Sequence, residues 1–171
     1  MQNHFELFQL PVRFAVDSAA LEAAYREIQA RVHPDKFVNA SDAEQRVAMQ
    51  WATRANEAYQ TLKQPHKRAA YLCELHGVPL EIESNTSMPI DFLMQQMAWR
   101  EALEEARAAR DGETLDALEA QLRQARRARL AEIETQLDAG DFRAAATGVR
   151  ALMFLDKFGE EIGDAFESLD N

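Results

Sequence analysis

The chain has 171 residues, 47% of them apolar, with a formal net charge of −10 and a single cysteine. That length and apolar content support a real core, while one cysteine excludes both a disulfide framework and a Cys-rich zinc site. The acid excess disfavours nucleic-acid phosphates and anionic lipid as partners.

Taken in chain order, nearly every element reads as helix, and no period-two alternation or Asn-Gly hairpin signal interrupts it. A short helix fits residues 3–9, with Phe5 and Phe8 on one side and Pro11 beyond its end. Asp17 suits the N-cap of a second helix that keeps Leu21, Ala24, Tyr25, Ile28 and Val32 on one face. That helix must stop at His33-Pro34, because a proline ring disfavours helical backbone at the residue before it. A loop over residues 34–40 follows, and Ser41-x-x-Glu44 then opens a long third helix as a capping box, ending near Lys63. Pro65 suits the first turn of a fourth helix, with Gly77 as its stop.

The pattern lapses between Val78 and Ser87, which marks a linker over residues 78–88. Three longer helices are expected near 89–110, 114–138 and 141–168, broken at Asp111-Gly112 and Gly140-Asp141. Leu115, Leu118, Leu122, Ala125, Leu130, Ile133 and Leu137 give the sixth an apolar stripe. Phe142, Ala145, Val149, Leu152, Leu155, Ile162 and Phe166 do the same for the seventh. The expectation is an all-α chain: a small four-helix lobe over 1–77 and an antiparallel three-helix bundle over 89–171. Charge divides the same way, with nine Lys/Arg against nine Asp/Glu in residues 1–77 and ten against twenty thereafter.

Two places stand out chemically. His33-Pro34-Asp35 lies where the second helix ends, and the proline turns a cationisable and an anionic side chain away from the packed faces. A His-x-Asp pair also fits an acid/base or metal role. The other histidines are His4, His66 and His76, however, and neither a His-Glu-x-x-His pattern nor a glycine-rich phosphate loop is present. No catalytic residue, metal site or cofactor is therefore expected. In the fifth helix, Phe92, Trp99, Leu103 and Ala106 share one narrow stripe, the natural core face. Ile90, Leu93, Met94 and Met97 centre about 150° away, and Glu101, Glu104 and Glu105 continue that second face. A bundle helix needs one apolar face, so the second suits a protein partner, or else the other lobe or cover within the bundle itself.

The order FELFQLP, LEAAYREIQARVHPDKF, ANEAYQTL and HKRAAYL over residues 5–72 resembles the J-domain family. The resemblance implies that His33, Pro34 and Asp35 form the loop that stimulates ATP hydrolysis by a DnaK-type chaperone. It also implies that Arg26, Arg31 and Lys36 dock on that partner's ATPase domain, although Glu22 and Glu27 dilute the basic face. Further on, FLMQQM, WREALEE and AAATGVRALMFLDKF resemble the HscB-type co-chaperones of iron–sulfur cluster biogenesis, nearly end to end. That narrower resemblance implies an HscA-like chaperone and an IscU-type scaffold protein as partners. By position, Leu93, Met94, Met97, Glu101, Glu105 and Phe154 would touch the scaffold. Ala98 stands where some members carry an acid, and Phe154, between Met153 and Leu155, fits core packing equally well. Cys73 reads as buried packing. The expected protein is a non-enzymatic, cytoplasmic co-chaperone. A general J-domain chaperone for unfolded clients and an inactive helical adaptor are its rivals.

Overall fold

A computed structural model describes residues 2–81 and 88–171, and these divide into two compact units, Met1–Leu72 and Cys73–Asn171. Most of the expected linker, residues 82–87, lies outside the described residues.

The first unit contains α1 (His4–Leu7), α2 (Ser18–Val32), a 3-10 turn over Pro34–Phe37, α3 (Asp42–Lys63) and most of α4 (Pro65–Leu75). Helix α1 is shorter than its sequence pattern because Gln9 takes a positive φ of 56°, which closes the turn before Pro11. The caps follow the sequence. Asp17 accepts from the amides of Ala19 and Ala20, and Ser41 Oγ accepts from the Glu44 amide at 3.2 Å. Across the α2–α3 pair, Tyr25 hydrogen-bonds Asn56 and the Tyr59 hydroxyl donates to Glu22 at 2.8 Å. Val32 and Ala48 wall one groove. Numbers fall on α3 as they rise on α2, so the pair is an antiparallel hairpin. Phe5, Phe8, Leu21, Ala55, Ala58, Leu62, Ala69 and Leu72 fill the core beneath it. Tyr25, at the edge of the apolar stripe, stacks on Tyr59 at 4.1 Å and meets Phe8 edge-on. It is a packing residue.

The second unit is built on α5 (Ile90–Ala109), α6 (Gly112–Asp138) and α7 (Phe142–Leu169). Arg110 in the left-handed region, φ 53°, ends α5. Helix α6 begins two residues earlier than its apolar periodicity suggests, because Asp111 caps it. The Asp111 carboxylate accepts from the Thr114 amide at 3.2 Å and from its hydroxyl at 2.7 Å. Those bonds hold the carboxyl below its ordinary range.

Inter-helix contacts give the topology. Gly112 meets Leu169, Gly159 meets Leu122, Arg126 pairs with Asp156 at 2.8 Å, and Gly148 meets Ile133, so α6 and α7 are antiparallel. Arg100 pairs with Glu161 at 3.0 Å and Arg110 donates to Leu169 O at 2.8 Å, so α5 and α7 run parallel. The result is an up-down-up bundle. Of the stripes expected from sequence, Leu115, Leu118, Leu122, Ile133, Leu137, Ala145, Val149, Leu152, Leu155 and Ile162 are buried, while Ala125, Leu130, Phe142 and Phe166 are only partly covered. Trp99 stacks on Phe158 at 5.7 Å. Backbone approach is closest at Gly148, where a Cβ would stand 2.9 Å from Ile133 Cγ1. Cys73 is fully buried, its thiol 3.6 Å from Phe142 O, and burial pushes that thiol up to about 11. The described residues form an all-α chain without strands.

Candidate interaction sites

The first site grows from the end of α2. His33 has φ −58° and ψ 133°, the extended backbone that the following proline imposes, so the helix ends there. Pro34 then occupies the first position of the 3-10 turn, where its missing N–H is of no consequence. The turn holds itself together. Lys36 N–H donates to His33 O at 2.9 Å, and Asp35 N–H donates to His33 Nδ1 at 3.2 Å. An Nδ1 that accepts carries no proton, so the neutral ring is the Nε2–H tautomer. Asp35 Oδ2 stands 3.6 Å from the same Nδ1. From α3, Gln45 Nε2 donates to Phe37 O at 2.9 Å and pins the far end of the turn. The Asp35 side chain is 87% exposed and makes no bond that buries it. Its carboxylate is open to solvent at the tip of the turn.

The basic residues expected to assist it are arranged less openly. Arg31 pairs with Glu27 at 2.6 Å and Arg26 with Glu22 at 3.5 Å, each one helical turn apart and exposed. Glu22 also accepts from Tyr59, and that bond, more than burial, raises the tyrosine above its ordinary value. Two arginines answered by two glutamates leave α2 with little net field. Lys36, in the turn itself, is exposed.

The second site is the outer face of α5. Phe92, Trp99, Leu103 and Ala106 are buried as the core stripe, and Gln96 continues it at 8% exposure. Gln96 escaped the sequence reading because an amide does not register in an apolar pattern, although its spacing from Phe92 and Trp99 fits the stripe. Opposite lie Ile90, Leu93, Met94 and Met97, the two methionines 64% and 66% exposed. Glu101 and Glu105 are exposed farther along the helix. Phe154 of α7 is 39% exposed, and its ring meets Phe92 at 6.2 Å. It therefore rests against the core and still shows an edge to solvent, between the two roles its sequence context allowed. Burying a side chain of this kind is worth about 1.5–3 kcal/mol, so leaving four on one helix forgoes a large stabilisation. Bundle stability does not account for their apolar character.

Among the described residues, no cluster of His, Cys, Asp and Glu is arranged to hold a metal ion. No helix among them is long and apolar enough to cross a membrane.

Comparison with known proteins agrees with both halves. The family described as the DnaJ domain matches residues 3–71, and that described as the HSCB C-terminal oligomerisation domain matches residues 88–163. The co-chaperone protein HscB homolog of Burkholderia multivorans is 56% identical over 168 residues, covering 98% of this chain and 96% of the relative. Among solved structures, the chaperone HscB from Vibrio cholerae superposes with a TM-score of 0.86 at 38% identity, over 98% of this chain and 99% of its own. Human co-chaperone protein HscB gives 0.89 at 26% identity, over 95% and 81%. The displayed His33-Pro34-Asp35 turn thus sits in a DnaJ domain and the doubled α5 face in an HscB C-terminal domain, and the chain belongs to the HscB family of co-chaperones.

Proposed function

We propose that this co-chaperone stimulates the ATPase of a dedicated DnaK-type, HscA-like chaperone and delivers to it an IscU-type scaffold protein, in support of iron–sulfur cluster maturation in the cytoplasm. The observation that carries the reading is one chain with two outward surfaces of different chemistry: a polar turn on a helical hairpin and an apolar, acid-edged face on a bundle. His33, Pro34 and Asp35 act on the chaperone, with Arg26, Arg31 and Lys36 beside them. Leu93, Met94, Met97, Glu101, Glu105 and Phe154 hold the scaffold. The co-chaperone contributes no catalytic group; its two contacts bias a reaction performed by the partner.

The mechanism is a tether. A scaffold bound to the α5 face is presented to the chaperone at an effective concentration set by the chain between the sites, without any new contact. Asp35, a carboxylate fixed by a short turn and not by a flexible loop, favours the hydrolysis-competent arrangement of the chaperone in its ATP state. It does so by binding that arrangement better than the alternative. Hydrolysis then closes the chaperone on the scaffold.

The test is steady-state ATP turnover by the HscA-type chaperone, with this protein present and the IscU-type scaffold added or withheld. Strong stimulation that needs both supports the reading. Stimulation indifferent to the scaffold reduces it to a general J-domain function, and no stimulation leaves an inactive adaptor.

A further inference from the structure

Among the described residues, Gln96 is the only amide or charged side chain that is buried, at 8% exposure. Its Nε2 is enclosed and finds no hydrogen-bond acceptor in the chain. An orphaned amide is unfavourable for the bundle, because an apolar side chain of the same shape would fill the position without leaving a donor unpaired. Phe92, Trp99 and Leu103 fill the neighbouring positions of the stripe in that way. Packing of α5 therefore gives no reason for a glutamine at this position.

Its place on the helix does. Phe92, Gln96 and Arg100 occupy successive turns of α5. The Phe92 ring meets Phe154 of α7 at 6.2 Å, and Arg100 pairs with Glu161 of α7 at 3.0 Å. Gln96 lies between those two contacts, in the seam where α5 meets α7. Leu93, two turns before Arg100, faces the same way, about 60° around the helix from Gln96. Leu93 and Phe154, 45% and 39% exposed, thus stand on the two sides of the seam.

We infer that Gln96 is a further scaffold-contact residue, whose carboxamide donates to an acceptor oxygen of the scaffold and sets the specificity of the α5 face. The inference rests on the function proposed above. That function has the scaffold touch Leu93 on α5 and Phe154 on α7, and a surface touching both crosses the seam over Gln96. The last torsion of a glutamine is soft, so the amide turns towards a partner there with little strain. Leu93, Met94 and Met97 adapt to many apolar surfaces. A donor left unpaired in the free protein adds discrimination. A scaffold with an acceptor in register satisfies it, and a surface without one leaves it buried and unpaired. Arg100 does not take this role, because Glu161 already holds its guanidinium.

The experiment titrates the IscU-type scaffold into the full-length protein by calorimetry, for the parent, Gln96→Met and Leu93→Ala/Met97→Ala, with denaturant unfolding of each. Methionine keeps the length of the side chain and removes its donor. Gln96→Met should weaken scaffold binding about 3- to 10-fold, the range for one neutral hydrogen bond. Its unfolding midpoint should equal or exceed the parent's, because the orphaned amide is gone. A glutamine that served only the fold would lose stability instead. In nuclear magnetic resonance, the side-chain amide signals of Gln96, identified by their absence from Gln96→Met, should shift when scaffold is added. The inference is overturned if Gln96→Met binds like the parent while Leu93→Ala/Met97→Ala does not. It is equally overturned if affinity and unfolding midpoint fall together in Gln96→Met, or if the amide signals stay in place at saturating scaffold. If the parent itself does not bind the scaffold, the proposed function is wrong and this contact falls with it.

Discussion

The Pro34–Phe37 turn and the outer face of α5 present their exposed side chains by different physical means. In the turn, one proline ends a helix and a handful of local hydrogen bonds fix His33 and Asp35, so position is set within five residues. On α5, helical periodicity alone places Leu93, Met94 and Met97, and their precision depends on the burial of Phe92, Gln96, Trp99 and Leu103 beneath. A site made by local geometry should fail by changing one polar group, with folding unaffected. A site made by packing should fail gradually, by truncation on its surface or by disturbance of the bundle that carries it.

The largest effect is therefore expected at the turn. Asp35→Asn removes the charge but keeps the shape, and should abolish stimulation of chaperone ATP turnover while scaffold binding and melting temperature stay at parent values. On the α5 face, Leu93→Ala combined with Met97→Ala should weaken scaffold binding by about 10- to 100-fold in calorimetric titration, the range for truncating central interface residues. Both positions are exposed, so the unfolding free energy should move by no more than about 0.5 kcal/mol each.

Disturbing the support should act on stability first. Gly148→Ala places a methyl 2.9 Å from Ile133 Cγ1 between the packed faces of α6 and α7. It should cost about 1–3 kcal/mol in denaturant unfolding of the second unit, and leave the Asp35-dependent response intact. Smaller still is a pH effect at Cys73. Its thiol is pushed up from 9.0 to about 11 by burial, so the neutral form is favoured in the folded state. That stabilisation is complete below the ordinary thiol value and is lost as pH rises through the folded one. Stability of the parent against unfolding should fall between about pH 9 and pH 11, and Cys73→Ala should remove that dependence. Asp111 gives the opposite sign. Its depressed carboxyl stabilises α6 above the ordinary carboxylate value, and the advantage of parent over Asp111→Ala should fade as pH falls below it.

Most of the architecture was legible in the sequence because the helices announce themselves. Asp17 and Ser41 cap where they stand, and most of the α6 and α7 stripes are buried as their periodicity requires, with Ala125, Leu130, Phe142 and Phe166 only partly covered. The double character of α5 was legible for the same reason: angular position along a helix follows from residue number alone. What periodicity cannot report is the path of irregular chain. The positive φ at Gln9 shortened α1, and the side chain of Asp111 lengthened α6 backwards over Gly112. Gln96 was hidden because a polar residue at a core position is read as surface until its burial is seen. The pairing of Arg26 and Arg31 with Glu22 and Glu27 lay between these cases, since spacing suggested dilution and the contacts give it a structure.

The central claim is that the turn and the α5 face work because one chain carries both. It is tested most directly by mixing the Asp35→Asn variant with the Leu93→Ala/Met97→Ala variant in equal amounts and measuring scaffold-dependent ATP turnover by the HscA-type chaperone. Each variant keeps the surface the other has lost. The tether predicts no recovery of the scaffold-dependent increment in the mixture, because no single chain joins the scaffold to the trigger. Recovery to the parent level would contradict it, and would mean that the two surfaces act independently.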